Sequence, residues 1–538
     1  MKIRTLSSGR GSTILAFALV LVGVMVMQPG AWAGINLPFA TQPPSGLAGT
    51  TIEYVTGSGF PAGVTAADVT VHIALTCLGA DVTTAAATQV THIIGSTYRT
   101  AFKIPGTLAT GTYSVWLTGA APAFTSNNCS TLMVTNSTPK IASCIPSSSL
   151  ALALGPNVTA YVPKGAWSNS TTGIGVVTIE GVGASTDIPT PNAVNACSSN
   201  AITGETVCTA NNTDVYLITG TTLNTTLSSG ANTRADFSGG SCFNCGVAID
   251  AANNTAYIEE GVTGGASGQG VQALHLGTNT FDSPFAMHDQ VSENIAIDPF
   301  LNYVLTPGED DSYTLLQVGP TGSVTGEFDN PLGSPATFGE LDSAAEDCTT
   351  GIALSADEFT DYVFVQDLTQ AVFVPGAPGT YTAPGQAVDV GDPAFSAFAF
   401  DGDSFSAGTS GISVAPGSSH LAVVTGEFGG NNFSVLQLPS TSGTGTPTIP
   451  DYAYTFIPAN PAGGGSPCGF VYNSGLDPHT ISAYTSPNNG KAYGVFAGNN
   501  ATCLVQVDLA QVLAAPRNAD GHTVTTPPAG AFTYFAIP

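Results

Sequence analysis

The sequence is short of positive charge: 10 Lys+Arg stand against 37 Asp+Glu, for a formal charge of −27 over 538 residues. Such a chain has nothing with which to neutralise a run of phosphates, which argues against nucleic-acid binding. It equally lacks the basic patch that would hold a protein on anionic lipid. Charged residues of both signs make up only 9% of the chain, and there are 3 Trp and 5 Met. Trp116 and Trp167 are too few for a sugar-binding face built on exposed indoles, and both read as core residues. Beyond the N-terminus no apolar run is long enough to span a bilayer. Aromatic rings are present, with 26 Phe and 16 Tyr, and a disordered acidic chain would lack them. With 63 Gly and 36 Pro to supply turns, the composition describes a folded, turn-rich protein of more than one domain.

The N-terminus reads as an export signal. Lys2, Arg4 and Arg10 form a basic head, residues 14–27 an apolar run, and Ala31-Trp32-Ala33 a peptidase site, so residues 1–33 are expected to be removed before Gly34. The mature chain would lose three basic residues and no acid, taking its charge to −30. Export to an extracellular, oxidising compartment makes the ten cysteines candidates for disulfides. The favoured pairs are Cys77–Cys129, Cys197–Cys208 and Cys468–Cys503. Cys242-Phe243-Asn244-Cys245 has the spacing of a redox or half-zinc motif, with a structural disulfide or two separate bridges as the alternatives.

Residues 34–140 alternate apolar and polar side chains in Val69-Thr70-Val71-His72-Ile73-Ala74-Leu75, in residues 51–56, in Tyr113-Ser114-Val115-Trp116-Leu117 and in Thr131-Leu132-Met133-Val134. Period-two runs between Gly/Pro turns indicate half-buried strands of a β-sandwich. The turn from Gly57 to Gly63 and the closing Gly111-Thr112-Tyr113 resemble bacterial immunoglobulin-like modules, which implies that fold and no activity. From residue 141 to 538 a loose repeat takes over: an apolar strand, a turn, then a second apolar strand, recurring about every 55 residues, near the length of a four-stranded blade with its loops. Copies include Gly246-Val247-Ala248-Ile249-Asp250 with Thr255-Ala256-Tyr257-Ile258, and Asn294-Ile295-Ala296-Ile297-Asp298 with Asn302-Tyr303-Val304-Leu305. The apolar-Ala-apolar-Asp spelling resembles the YVTN/NHL-like β-propellers. The expected fold is therefore all-β, an Ig-like β-sandwich followed by a propeller of about seven blades.

Chemistry is harder to place. The seven histidines are scattered and form no HExxH pair, and no catalytic constellation is identifiable. Met287-His288-Asp289 offers soft and imidazole ligands for copper, but as a single short cluster it reads better as a surface loop. Acidic stretches are the better signal: Glu309-Asp310-Asp311-Ser312, residues 342–347 and Asp401-Gly402-Asp403-Ser404 place carboxylates together in expected loops. Calcium, which takes six to eight oxygens, is the cation they suit, with Asp310, Asp311, Asp401 and Asp403 as ligands. Nine N-x-S/T sequons, among them Asn128, Asn253 and Asn432, offer glycan acceptors. A pI near 4.1, scarce Lys and Met, and abundant Gly, Ser, Thr and Ala in tandem β-domains resemble surface-layer proteins. That resemblance implies an envelope component that self-associates into an array. The alternative is a secreted propeller that binds or hydrolyses a small ligand in its axial channel, as lactonase-like propellers do.

Overall fold

The protein is described by a computed structural model covering residues 33–538 outside 136–149, 165–170, 230–243, 262–267, 290–293, 309–311, 332–340, 392–408, 427–431, 459–479, 498–502 and isolated positions of one or two residues. The fold is mostly β, and no helix among the described residues is long and apolar enough to cross a membrane.

Residues 33–135 form one nine-stranded sheet, here called the module. Its long strand Asp81–Ile94 changes partner midway: residues 81–86 pair with Val69–Ala74, and residues 87–94 with Thr97–Lys103. Gly111–Ala120 pairs with Val69–Ala74 on one side and Ser130–Thr135 on the other, and this closes a circuit of strands. The alternation seen in the sequence turns Val69, Val71, Ile73, Val115 and Leu117 inward onto Val55, Phe102, Phe124 and Leu132. In the turn after Ile52–Gly57, Gly59 has φ +90°, and a side chain there would run into the Gly34 carbonyl.

Five small sheets, A to E, follow one another in a propeller-like arrangement. Their first strands are Asn244–Asp250, Ala296–Asp298, Leu341–Asp347, Thr409–Ala415 and Ile481–Thr485. Before them lies a seven-stranded sheet from Ala151–Ala153 to Thr222–Ser228. Its fourth strand, Thr186–Ser199, pairs with Thr172–Glu180 through residues 186–193 and with Glu205–Ala210 through residues 194–199. One departure from regular order is the hairpin Val372–Val374/Gly379–Thr382. It leaves sheet C and adds to the outer edge of sheet B, alongside Val324–Pro331.

Separate hydrophobic clusters join neighbouring sheets, and the series closes on itself. Val207 and Val215 of the seven-stranded sheet meet Ile249 and Ile258 of sheet A, and Tyr257 and Val271 of A meet Val304 and Leu316 of B. The contacts continue from B to C through Leu315 and Phe364, from C to D through Leu354 and Val424, and from D to E through Phe433 and Phe496. Finally, Val495 and Leu504 of E pack on Leu152, Val158 and Val177 at the start of the seven-stranded sheet. Small residues recur where strands are buried on both faces: Ala248, Ala296, Ala344, Ala345 and Ala483 are all within 1% of complete burial. Buried aspartates end several of these strands and hold the next turn. Asp250 accepts from the Asn253 backbone N–H (3.2 Å), Asp298 from Leu301 N–H (2.8 Å) and Asp347 from Thr349 N–H (3.1 Å). The Asp of the repeat is thus a turn cap, supplying acceptors to backbone donors that burial would otherwise strand.

Closure between sheet E and the start of the seven-stranded sheet has a polar clasp. Glu180 accepts from Tyr484 Oη (2.6 Å), Ser486 Oγ (2.7 Å) and Asn488 Nδ2 (2.8 Å). Hydrogen bonds to a charged acceptor contribute about 1.5–3 kcal/mol each when one partner is removed, and not additively. Glu180→Ala is expected to cost about 2–4 kcal/mol. Denaturant unfolding of the variant against the parent measures that loss.

Candidate functional site

The module meets sheets A and B at a cavity of about 190 Å³. Thr56, Ser58 and Thr97 line it from the module, and Asn253, Asn302, Gln317 and Thr325 from the sheets. All of these are neutral hydrogen-bonding side chains. Asn302 is held at φ +62° in the tight turn after Asp298. The guanidinium of Arg99 lies 5.2 Å from the Tyr54 ring centroid in the module and is near enough to Glu346 of sheet C to favour that carboxyl's charged form.

Between sheets B and C the interior is unusually polar. Glu346 and Gln366 are both in register with Ala353, whose small side chain separates them on the face turned towards sheet B. Glu346 is 3% exposed, and neither of its carboxyl oxygens has a hydrogen-bond partner; the hydroxyls of Tyr303 and Tyr313 are likewise buried and unpartnered. Tyr381 Oη donates to Gln366 Oε1 at 3.1 Å. Burial, reinforced by Asp298 and Asp347, holds the Glu346 carboxyl well above the usual range, and burial likewise raises the Tyr313 phenol. A second acidic group stands at the outer part of sheet B. Glu327 accepts from the His288 backbone N–H at 2.8 Å, and Thr314 Oγ1 lies 3.2 Å from Asp329 and 3.4 Å from Asp289. Burial and the neighbouring Asp289 and Glu327 push Asp329 up to about 7.

These positions revise several expectations. Residues 342–347 are not an acidic loop: Leu341–Asp347 is a strand buried along its whole length, in which Asp347 caps a turn and Glu346 faces the interior. Asp310, Asp311, Asp401 and Asp403 lie outside the described residues. Among the described residues no group of three or more His, Cys, Asp or Glu side chains is placed to hold a metal ion. His288 of the Met287-His288-Asp289 triplet engages Glu327, while Met287 is buried between sheets A and B. Cys77–Cys129 and Cys197–Cys208 are disulfides, the second joining in-register neighbours on adjacent strands. Cys503 is disulfide-bonded, as are Cys245 and Cys348, and their partners, like Cys468 and Cys242, lie outside the described residues.

Several of the histidines and asparagines hold the fold together. His72 bridges three strands, with Nδ1 2.9 Å from Asp81, Nε2 2.8 Å from Thr118 and its ring stacked on the core residue Trp116. Trp167 lies outside the described residues. Of the sequons, Asn128 donates to the Leu37 carbonyl, Asn253 to Asp250, and Asn432, 4% exposed, to Tyr454. Missed in the sequence were the interior acids; an acid set among strand-forming residues, as Glu346 is after Ala344-Ala345, was the available signal. Comparison with known proteins finds no matching family model and no matching curated protein.

The raised Asp329 carboxyl has a defined consequence. A carboxyl whose folded pKa lies above its unfolded value binds more protons in the folded state, so its contribution is intact below about 3.9 and is lost as pH rises towards 7. Asp329→Asn keeps an oxygen for Thr314 and removes the charge. It is expected to raise the thermal midpoint by about 2–4 °C at pH 8 and to leave it unchanged at pH 3.5. Thermal scans at the two pH values check this.

Proposed function

We propose that the protein is an exported, disulfide-bonded component of the cell surface that assembles with further copies of itself, as a surface-layer subunit does. The observation that carries this reading is the low charge of its outward strands. Thr222–Ser228 presents every second side chain to solvent and contains only Thr, Leu, Asn and Ser. The outermost strand of sheet B, Val372–Val374, carries Val372 64% and Val374 59% exposed. Open, uncharged strand edges are surfaces on which another chain can pair. A subunit of net charge −27 requires such neutral surfaces if like copies are to pack side by side. Calcium at the stretches carrying Asp310–Asp311 and Asp401–Asp403 belongs to the same reading, as a bridge that relieves repulsion between copies.

On this reading the architecture is an Ig-like module followed by a seven-bladed propeller of the YVTN/NHL-like kind. The strand Thr186–Ser199 supplies the outer strand of one blade with its first half and the inner strand of the next with its second. The seven-stranded sheet thereby counts as two blades beside the five separate sheets, which gives seven.

A second reading is favoured by the neutral, polar cavity at the module junction, whose Thr, Asn and Gln side chains suit a small hydroxylated ligand. Electron microscopy of isolated envelopes separates the two. A regular array that disperses on chelation is expected of a surface-layer subunit. An abundant protein without any array would contradict the assembly reading and favour ligand binding.

A further inference from the structure

Among the described residues, three glutamates have both carboxyl oxygens buried without a hydrogen-bond partner: Glu53 of the module, Glu260 of sheet A and Glu346 of sheet C. Glu53 and Glu260 have no exposure at all, and Glu346 is 3% exposed. Glu53 shares the module interior with its in-register neighbour Phe102 and with the hydroxyls of Thr41 and Thr100. Glu260 sits in a strand buried from end to end, between Asn244 and Gly270 on the flanking strands. Glu346 lies between sheets B and C, facing Gln366, Tyr313 and Asp298, with Asp347 beside it.

An ionised carboxylate buried without donors is strongly disfavoured, and such a group takes up a proton instead. The charges around these three do not reverse that. Among the described residues no charged group acts on Glu260, where burial is the influence that raises it, and at Glu53 it is the Thr41 hydroxyl that favours the ionised form. At Glu346 the cation among the described residues is Arg99 of the module, the weakest influence there, and it is opposed by burial, Asp298 and Asp347.

We propose that Glu53, Glu260 and Glu346 are proton-binding sites of the folded protein, so that the module and the ring lock in acid and loosen as the pH rises, and that the protein is built to stand in acidic surroundings. The direction follows from linkage. Unfolded glutamate titrates near 4.3, and burial carries Glu260 to about 8. Between those values the native chain holds protons that the unfolded chain has released, so stability is complete below about 4.3 and is lost across the window up to about 8. For each proton so held the unfolding equilibrium constant grows about tenfold per pH unit.

The test uses the full mature chain, melted from pH 4 to pH 8 in 0.15 M and 1 M salt, the higher salt screening surface repulsion but not burial. The midpoint is expected to fall with rising pH at both salt concentrations. Glu260→Gln and Glu346→Gln are expected to raise it at pH 8 and to leave it unchanged at pH 4. Glu53→Gln does the same for the module, read from the near-ultraviolet signal of Trp116. A midpoint that rises or stays level between pH 5 and pH 8 overturns the proposal. So does a Gln variant that shifts the midpoint equally at both ends, since the group would then act through packing alone. Calcium chloride at pH 8 is the remaining arm. A rise that Glu346→Gln abolishes would show that Glu346 holds a cation rather than a proton, and would overturn the assignment there.

Discussion

So few basic side chains cannot pair the acids of this chain, and that shortage decides how every buried carboxyl is accommodated. Where a Lys or Arg is available it is used at the periphery: Lys164 on Asp187, Lys491 on Asp508, Arg517 on Asp451. Inside, backbone, hydroxyl and amide donors do most of this work. Asp250, Asp298 and Asp347 each accept a backbone N–H of the turn they end, Asp347 also meets His420 Nδ1 at 2.6 Å, and Glu180 accepts from two hydroxyls and an amide. A carboxylate that accepts from donors in this way keeps its charge at a reduced cost. Glu53, Glu260 and Glu346 lack even that, and a proton is the one remaining means of removing their charge.

The same economy shapes the ring. Its sheets are joined by apolar clusters rather than ion pairs, and small alanines let strands approach where both faces are covered. Closing the series from sheet E back to Leu152 and Val158 means that no inner sheet exposes an apolar face, which is what a chain of separate sheets must achieve to be stable. The clasp at Glu180 fixes the register of that last contact, because three donors from one sheet converge on a single side chain of another.

Much of the fold was legible because its signals are local. Ala248-Ile249-Asp250 and Ala296-Ile297-Asp298 reveal an inner strand, a cap and a turn in a few residues, and the alternation of Val69 to Ala74 shows which face is wet. Cys77–Cys129 and Cys197–Cys208 could be paired because export makes disulfides the default and the second pair brackets one turn. Other features were hidden by composition. The strand Thr186–Ser199 contains Pro189 and Pro191, which have no N–H to give a ladder; they are tolerated in the half that pairs with Thr172–Glu180. Residues 342–347 read as an acidic turn because an isolated carboxylate is normally solvated, and only the packing of sheet B against sheet C reveals that Glu346 is enclosed. The cavity at the module junction brings residues near 56 and 97 to residues near 302 and 317, a placement no short-range pattern carries.

The claim on which the account turns is that the folded protein holds protons its unfolded chain gives up. Calorimetric unfolding at pH 6 in buffers of different ionisation enthalpy counts them directly. Release of roughly four protons per chain, three from these glutamates and one from Asp329, diminished by one with each of Glu53→Gln, Glu260→Gln and Glu346→Gln, is the result predicted. Net uptake of protons on unfolding, or a release that the three substitutions leave unchanged, would contradict it.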